Sequence, residues 1–341
     1  MSEFKVDAIT NRDGSYGPEV CGVTTFTSSG LTLPSGPTEF RKQNGGGRGM
    51  ACIAGAQNST VTINKVEIQT KGDATDFGDL TQGREMGAGF GSATRGVFMG
   101  GRLQPGDAVT TIDFVTLSSG GGADDFGNLE NATTFLEGCS NQVRGVSMGG
   151  YNGTIRVVDI TFVTIATTGD STEFGSLSAA AASQTASCSS PTRGIVALAN
   201  APSISSEVNI IEFITFATRG DAQDFGDLTL ARRTSTSTSS DTRGLICGSE
   251  APVSTTIDYI TIATKGDAID FGDLTDARGE FASASDNVRG ICAGGNSAPA
   301  RVNIIDLFTI ASTGDAADFG DMTYNSSGHM GTGDNHGGLQ S

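Results

Sequence analysis

The stretch TKGDAIDFGDLTDARGEFASASDNVRGICAGG, residues 264–295, contains two sequence markers that together decide the fold. The first marker, DFGDL or a close variant, recurs six times, with 49, 48, 51, 46 and 48 residues between successive phenylalanines. The second marker is an Arg-Gly pair that opens a short apolar run such as RGVFMGG or RGICAGG. Two interlocked markers with one period indicate an internal repeat of roughly 48 residues. The phenylalanines are Phe77, Phe126, Phe174, Phe225, Phe271 and Phe319, and the arginines are Arg48, Arg95, Arg144, Arg193, Arg243 and Arg289.

Each repeat divides into four segments with β-strand character. The first is small and polar, as in TSTSTSSD and FASASDNV, and the second is the Arg-Gly run. The third is long and rich in β-branched residues, as in VNIIEFITFAT, and the fourth holds GDAxDFGDL. A period of 40 to 50 residues with four strands is typical of a β-propeller. The sequence therefore predicts an all-β, six-bladed β-propeller of four-stranded blades, with the small first strands crowded around the axis.

Both ends of the chain contain an additional copy of the first segment. EFRKQNGGGRG precedes the first apolar run, and HMGTGDNHGG follows the last DFGDM. Either copy can complete the first blade, and completion by the C-terminal tail, residues 325–341, would latch the ring with strands from both chain ends. The predicted organisation is an extended N-terminal arm at residues 1–37 and a propeller at residues 38–341.

Composition excludes several classes of partner. The formal net charge is −17, and no Lys/Arg run offsets it, so nucleic-acid binding is not expected. No stretch of 18 apolar residues exists, which predicts no membrane insertion. The opening MSEFKVDAITNR also lacks the apolar core of a signal peptide, which predicts no export by a standard route.

No pattern in the sequence predicts catalysis, a cofactor or a metal site. The two histidines, His329 and His336, both lie in the Gly-rich tail without triad spacing. GDAxDFGD brings three carboxylates together, yet it lacks the spacing of a calcium-binding EF-hand loop, and aspartates in turns usually cap their own backbone. The six cysteines have no CxxC spacing, and we expect Cys52, Cys247 and Cys292 to be small buried apolar residues.

The repeated arginines and phenylalanines are interpreted as structural. An arginine in every repeat is expected to bond a carboxylate or a backbone carbonyl of the repeat itself. The phenylalanine of DFG is expected to anchor each blade in the core between blades. The natural carboxylate partners for the arginines are Asp79, Asp227, Asp273 and Asp321.

The order of these segments resembles the kelch propellers, with Phe in DFGDL at the kelch Trp position. The whole chain also resembles kelch-like virion structural proteins of tailed bacteriophages of the marine cyanophage type. The motifs that carry this likeness are TxxTKGDAxDFGDLTxAR, RGxxxGG and the opening FKVDAITNRDGSYGPEVCGVTTFTSSG. Gly-Gly is eroded in several repeats, as in IVALAN, and the kelch Tyr after it is mostly missing.

The resemblance implies a non-enzymatic virion protein, assembled in the host cytoplasm. Its propeller would be a platform for contacts with other virion proteins at the tail, neck or fibre-attachment region, anchored by the arm. The alternative is a module of the virion that binds a host-surface glycan or protein, although the absence of Trp weakens a lectin interpretation. A galactose-oxidase-like or sialidase-like enzyme is a third class, and the scarcity of histidine argues against it.

Overall fold

Six four-stranded antiparallel sheets form the blades of a β-propeller, which confirms the predicted fold. The structure is a computed structural model that describes residues 25–27, 30–32, 49–55, 60–178, 185–199 and 207–334. Across these ranges the regular secondary structure is β-strand, and no helix is long and apolar enough to cross a membrane. Within the arm, Thr25–Thr27 pairs with Gly30–Thr32 as a short antiparallel hairpin.

The blades share one strand order, first to fourth from the axis outward. Blade 1 consists of Met330–Gly333, Met50–Ala54, Thr62–Glu67 and Thr75–Asp79, and blade 2 of Ala88–Gly91, Arg95–Met99, Thr111–Thr116 and Asp124–Asn128. Blade 3 consists of Glu137–Ser140, Arg144–Met148, Asp159–Thr164 and Thr172–Ser176, and blade 4 of Ala186–Ser189, Arg193–Ala197, Ile210–Thr215 and Gln223–Asp227. Blade 5 consists of Thr236–Ser239, Arg243–Glu250, Val253–Thr261 and Ile269–Asp273, and blade 6 of Ala282–Ser285, Arg289–Ala293, Ile304–Thr309 and Ala317–Asp321. A small hairpin, Asn296–Ser297 with Ala300–Arg301, extends the turn of blade 6.

The C-terminal copy of the first segment closes the ring. Met330–Gly333 pairs antiparallel with Met50–Ala54, so blade 1 combines strands from both ends of the chain. The six first strands contact one another in a closed cycle around the axis. The N-terminal copy, residues 39–49, lies outside the described residues except for Gly49.

Small first strands allow a series of serine hydroxyls near the axis in blades 3 to 6. Ser140 Oγ donates to Gly91 O over 2.7 Å, and Ser189 Oγ donates to Ser140 O over 2.8 Å. Ser239 and Ser285 continue the series, each bonding the main chain of the preceding blade. Each hydroxyl therefore satisfies a buried carbonyl while joining two blades.

The DFG phenylalanines lie in apolar clusters that span neighbouring blades, as expected. Phe174 of blade 3, for example, packs in one cluster with Val196 and Phe216 of blade 4. The DFG glycine is required by a close approach, because a Cβ on Gly226 would lie 2.4 Å from Gly266 O of the next blade. Buried positions are Phe126, Phe174, Phe225, Phe271 and Phe319, whereas Phe77 is half-buried.

Candidate functional site

The arginines of the Arg-Gly pairs join blades 2 to 6 to the blade that follows each of them, whereas Met50 stands at the corresponding position in blade 1. Arg95 Nη1 donates to Ile165 O of blade 3 over 3.0 Å, and its guanidinium lies 4.5 Å from the centroid of the Phe114 ring in its own blade. The acceptors are main-chain carbonyls, and among the described residues the DFGD aspartates proposed as partners form no ion pair with these arginines. The same bond to the following blade recurs for Arg144, Arg193, Arg243 and Arg289, while Arg48 lies outside the described residues.

The GDA aspartates make a third junction, at the outer edge. Asp267 Oδ1 of blade 5 accepts a hydrogen bond of 3.0 Å from Asp227 N, the last residue of the fourth strand of blade 4. Gly266 N and Ala268 N also donate to carbonyls of that strand. The exposed edge of each outer strand is thereby covered by its neighbour. Equivalent carboxylate bonds are made by Asp73, Asp170, Asp221 and Asp315.

Three buried ion pairs were not anticipated from the sequence. Arg84 lies in the linker before blade 2, and its Nη1 is 2.6 Å from Asp113 Oδ2 in the third strand. Both side chains are fully buried, and burial lowers the pKa of Arg84 despite the nearby carboxylate. Arg84 also donates to Gly100 O and Phe98 O, which leaves its guanidinium well satisfied. The corresponding pairs are Arg232–Asp258 in blade 5 and Arg278–Asp306 in blade 6.

A backbone ring narrows one end of the central channel. We call this end the upper face; it carries the linkers between blades and the connections from second to third strands. Four non-glycine residues of the ring have φ near +56°, a left-handed conformation that costs about 1–3 kcal/mol each. Met86 N donates to Gly328 O over 2.8 Å, and Phe135 N donates to Met86 O over 2.7 Å. The described ring members are Met86, Phe135, Thr234, Glu280 and Gly328.

This ring surrounds a solvent-open space of about 420 Å³, which shares lining residues with a second solvent-open space of about 330 Å³ between the first strands. Glu137 lines both spaces, and burial raises the pKa of its carboxyl to about 8. Burial also raises the pKa of Glu280, and the charge of Glu250 adds to that shift, while a hydrogen bond from Ser327 opposes it. Thr185 Oγ1 and Ser187 Oγ are buried in the channel wall with no partner among the described residues.

His329 is part of the wall of this cavity. Its Nδ1 lies 2.7 Å from Gly55 O, and its Nε2 lies 2.8 Å from Ser326 Oγ. Burial lowers the pKa of His329. A neutral ring held on both nitrogens serves to fix the linker into blade 1, whereas His336 lies outside the described residues.

The described cysteines are free and buried, which confirms the expectation for Cys52, Cys247 and Cys292. Burial raises the pKa of the Cys188 thiol to about 12, and it raises the pKa values of Cys52, Cys139 and Cys292 as well. Thiols with raised pKa values are poor nucleophiles. Within the described ranges, no group of three His, Cys, Asp or Glu side chains is placed to hold a metal ion.

We call the backbone ring and the cavity inside it the channel mouth. It is the best candidate for a functional site, because it combines a cavity, backbone strain and carboxyls with raised pKa values. Its groups can hydrogen-bond a small polar ligand, since a protonated carboxyl both donates and accepts. Comparison with models of known protein families gave no match, and a search of curated proteins found none that is similar.

The raised pKa of Glu137 predicts a pH dependence of stability. Its carboxyl binds a proton more tightly in the folded chain, so the associated stability is full below about pH 4.5 and is lost as the pH rises towards 8. The variant Glu137→Gln is expected to melt a few degrees higher than the native protein at pH 8.5 and at nearly the same temperature at pH 4. Thermal denaturation followed by circular dichroism between these pH values measures the difference.

This experiment needs a control variant, and a second titrating group has to be taken into account. Glu173 is exposed in the fourth strand of the same blade, so Glu173→Gln should leave the melting profile unchanged. Burial also raises the pKa of Asp334 to about 7, so both the native protein and Glu137→Gln should still lose some stability as the pH rises. Identical profiles for Glu137→Gln and the native protein would show that this carboxyl is not desolvated.

Proposed function

We propose that the chain is a non-enzymatic structural protein of a tailed-phage virion, in which the propeller is a platform for contacts with other virion proteins. The observation that supports a platform best is that successive blades from blade 2 to blade 6 are joined at three distances from the axis, and that blade 6 is joined to blade 1 at the two outer ones. Serine hydroxyls join them near the axis, arginines join them at the middle strands, and GDA aspartates join them at the outer edge. The chain's own groups supply all three junctions, which favours a rigid body.

The upper face supports a role in recognition. In blades 2 to 6 the turns from first to second strand have one length. The connections from second to third strand, in contrast, range from residues 251–252 in blade 5 to residues 198–209 in blade 4. Variable loops on a constant scaffold are typical of binding surfaces.

The arm, residues 1–37, is proposed as the anchor to the particle. Its short hairpin falls in the two β-like runs VCGVTTF and GLTLP. Such an extended segment can add a strand to a neighbouring subunit. The proposed site of action is the virion, at the tail, neck or fibre-attachment region, after assembly in the host cytoplasm.

Deletion of residues 1–35 tests this proposal. The truncated protein is expected to fold, with an unchanged circular dichroism spectrum and melting temperature, but to be lost from assembled particles by at least about tenfold. Mass spectrometry of gradient-purified particles, scaled to the amount of protein in the lysate, measures incorporation. Glu173→Gln in the full chain is the control, because an exposed blade substitution should leave incorporation at the native level. If the truncated protein unfolds, residues 1–35 are part of the folded propeller, and their proposed role as a separate anchor is overturned. If the full chain is absent from particles, the proposed virion role is overturned.

The channel mouth favours a second candidate function, the binding of a host-surface glycan. Its solvent-open space is lined by hydroxyls and carboxyls that could bond sugar hydroxyls, with the half-buried Phe135 beside them. A glycan array separates the two functions. Saturable binding that Phe135→Ala abolishes would favour the receptor module over the platform.

A further inference from the structure

The buried arginines of blades 2, 5 and 6 occupy one recurrent slot at the upper face. In blade 6 the guanidinium of Arg278 lies 3.0 Å from Gly294 O, 3.3 Å from Cys292 O and 3.0 Å from Asp306 Oδ2. It also bonds the carbonyl of Asp276, two residues before it. Arg84 bonds the four corresponding groups in blade 2. The slot is therefore built to satisfy a guanidinium with main-chain carbonyls and one acidic side chain.

Blade 3 has the same slot without its arginine. Thr133 stands at the position of Arg84, and Thr161 stands at the position of Asp113. A pocket open to solvent lies there, and the space of about 290 Å³ within it includes open solvent. Its walls include the counterparts of all four residues that Arg84 contacts, namely Asn131, Ser147, Gly149 and Thr161.

The carbonyl at the back of this slot lacks a donor. Gly55 O, its counterpart in blade 1, accepts from His329, and Gly248 O in blade 5 accepts from Ser235. In blade 3 the apolar Leu136 stands at the position of these two donors. Among the described residues, no side chain or main-chain N–H outside the ladders of the strands bonds Gly149 O. Gly149 O faces the solvent-open cavity, so an incoming donor would replace water at this carbonyl.

The entrance to the slot attracts cations. Glu130 and Asp159 line the cavity and are both exposed, so two carboxylates stand where solvent enters. Inside, Ser147 Oγ and Thr161 Oγ1 lie 2.9 Å apart, which leaves hydroxyl oxygens as further acceptors. A planar cation with several N–H donors matches this arrangement of carbonyls and carboxylates better than a compact ammonium does.

We propose that the blade 3 slot binds a guanidinium group supplied from outside the chain, in the place that an intramolecular arginine takes in three other blades. This inference does not depend on the virion role, because it concerns only the chemistry of the cavity. The guanidinium can come from a small guanidino compound or from an arginine of a protein partner.

The first experiment titrates ¹⁵N-labelled protein with methylguanidinium chloride, followed by amide shifts of residues around Gly149. Methylammonium chloride is the matched control for charge and salt. We expect saturable shifts with methylguanidinium that are at least about tenfold weaker with methylammonium. Equal responses to both ions, or none that saturates, would overturn the proposal in favour of a water-filled cavity.

Two double variants make the experiment specific to the slot. Thr133→Arg with Thr161→Asp copies the pair of blades 2, 5 and 6, and it should abolish the shifts by filling the slot. Arg278→Thr with Asp306→Thr copies blade 3 and should create a second set of shifts in blade 6. Unchanged affinity in the first variant would overturn the proposal, and so would the absence of a second site in a folded second variant.

The source of the guanidinium is then identified with the peptides acetyl-Gly-Arg-Gly-amide and acetyl-Gly-Lys-Gly-amide. Binding of the arginine peptide, and not of the lysine peptide, at an affinity at least about tenfold above that of methylguanidinium supports a protein partner. Binding of methylguanidinium with exclusion of the arginine peptide supports a small guanidino compound.

Discussion

Removal of residues 325–341 is expected to lower the melting temperature of the protein by about 10 °C or more, because it deletes the innermost strand of blade 1. Met330 in this strand is 1% exposed, and loss of such a core side chain alone costs about 2–5 kcal/mol. The deletion also removes His329 and the mutual hydrogen bonds between Met50 and Asp334. Each kcal/mol lowers the melting temperature of a large domain by about 2 °C.

A chain that ends after residue 334 is the matched control for this truncation. It keeps the strand and Asp334, so its melting temperature should equal that of the full chain. A synthetic peptide of residues 325–341 should restore part of the lost stability of the truncated protein, because it binds only the folded ring. A melting temperature that the larger truncation leaves unchanged would show that another segment completes blade 1.

Arg278→Ala is expected to destabilise the protein by about 3–5 kcal/mol, because it leaves Asp306 charged and unpaired in a buried site. Both side chains of this pair are fully buried at a separation of 3.0 Å. Arg301 is exposed in the same blade, and Arg301→Ala should change stability by less than about 0.5 kcal/mol. Denaturant titration of the three proteins measures the free energies of unfolding.

Blade 3 indicates which double variant should restore stability, since it folds with threonines at the positions of the arginine and the aspartate. The double variant Arg278→Thr with Asp306→Thr should be clearly more stable than the sum of its two single variants predicts. A coupling near zero would mean that the arginine and the aspartate stabilise the blade independently. The result would then contradict the ion pair as a unit.

The blades and their order could be predicted from the sequence because the same pattern of four strands recurs in six repeats. The DFG phenylalanines and the small first strands follow from simple packing, and the structure places them as predicted. The partners of the Arg-Gly arginines could not be predicted in the same way. Arg95 bonds Ile165 O, a main-chain group of another blade, and a carbonyl leaves no signature in the side chains.

The buried ion pairs did leave a signature. An arginine in the linker and an aspartate in the third strand occur together in three repeats, and threonines replace both in another. The repeats can therefore be compared position by position, like homologues in an alignment. The channel mouth is harder to predict, since Glu137 becomes unusual only when the curvature of the ring brings the first strands around it.

The strand that completes blade 1 is made long after the strand with which it pairs. Met50 and Asp334, which hydrogen-bond across this junction, are 284 residues apart. At 5–20 residues per second, a ribosome needs roughly 14 to 57 seconds to synthesise the chain between them. Throughout that time the nascent blade has an unpaired inner edge, to which strands of other chains could add. The propeller can therefore close only after Met330–Gly333 has been made, and the speed of synthesis limits how long each new molecule is exposed to aggregation before that point.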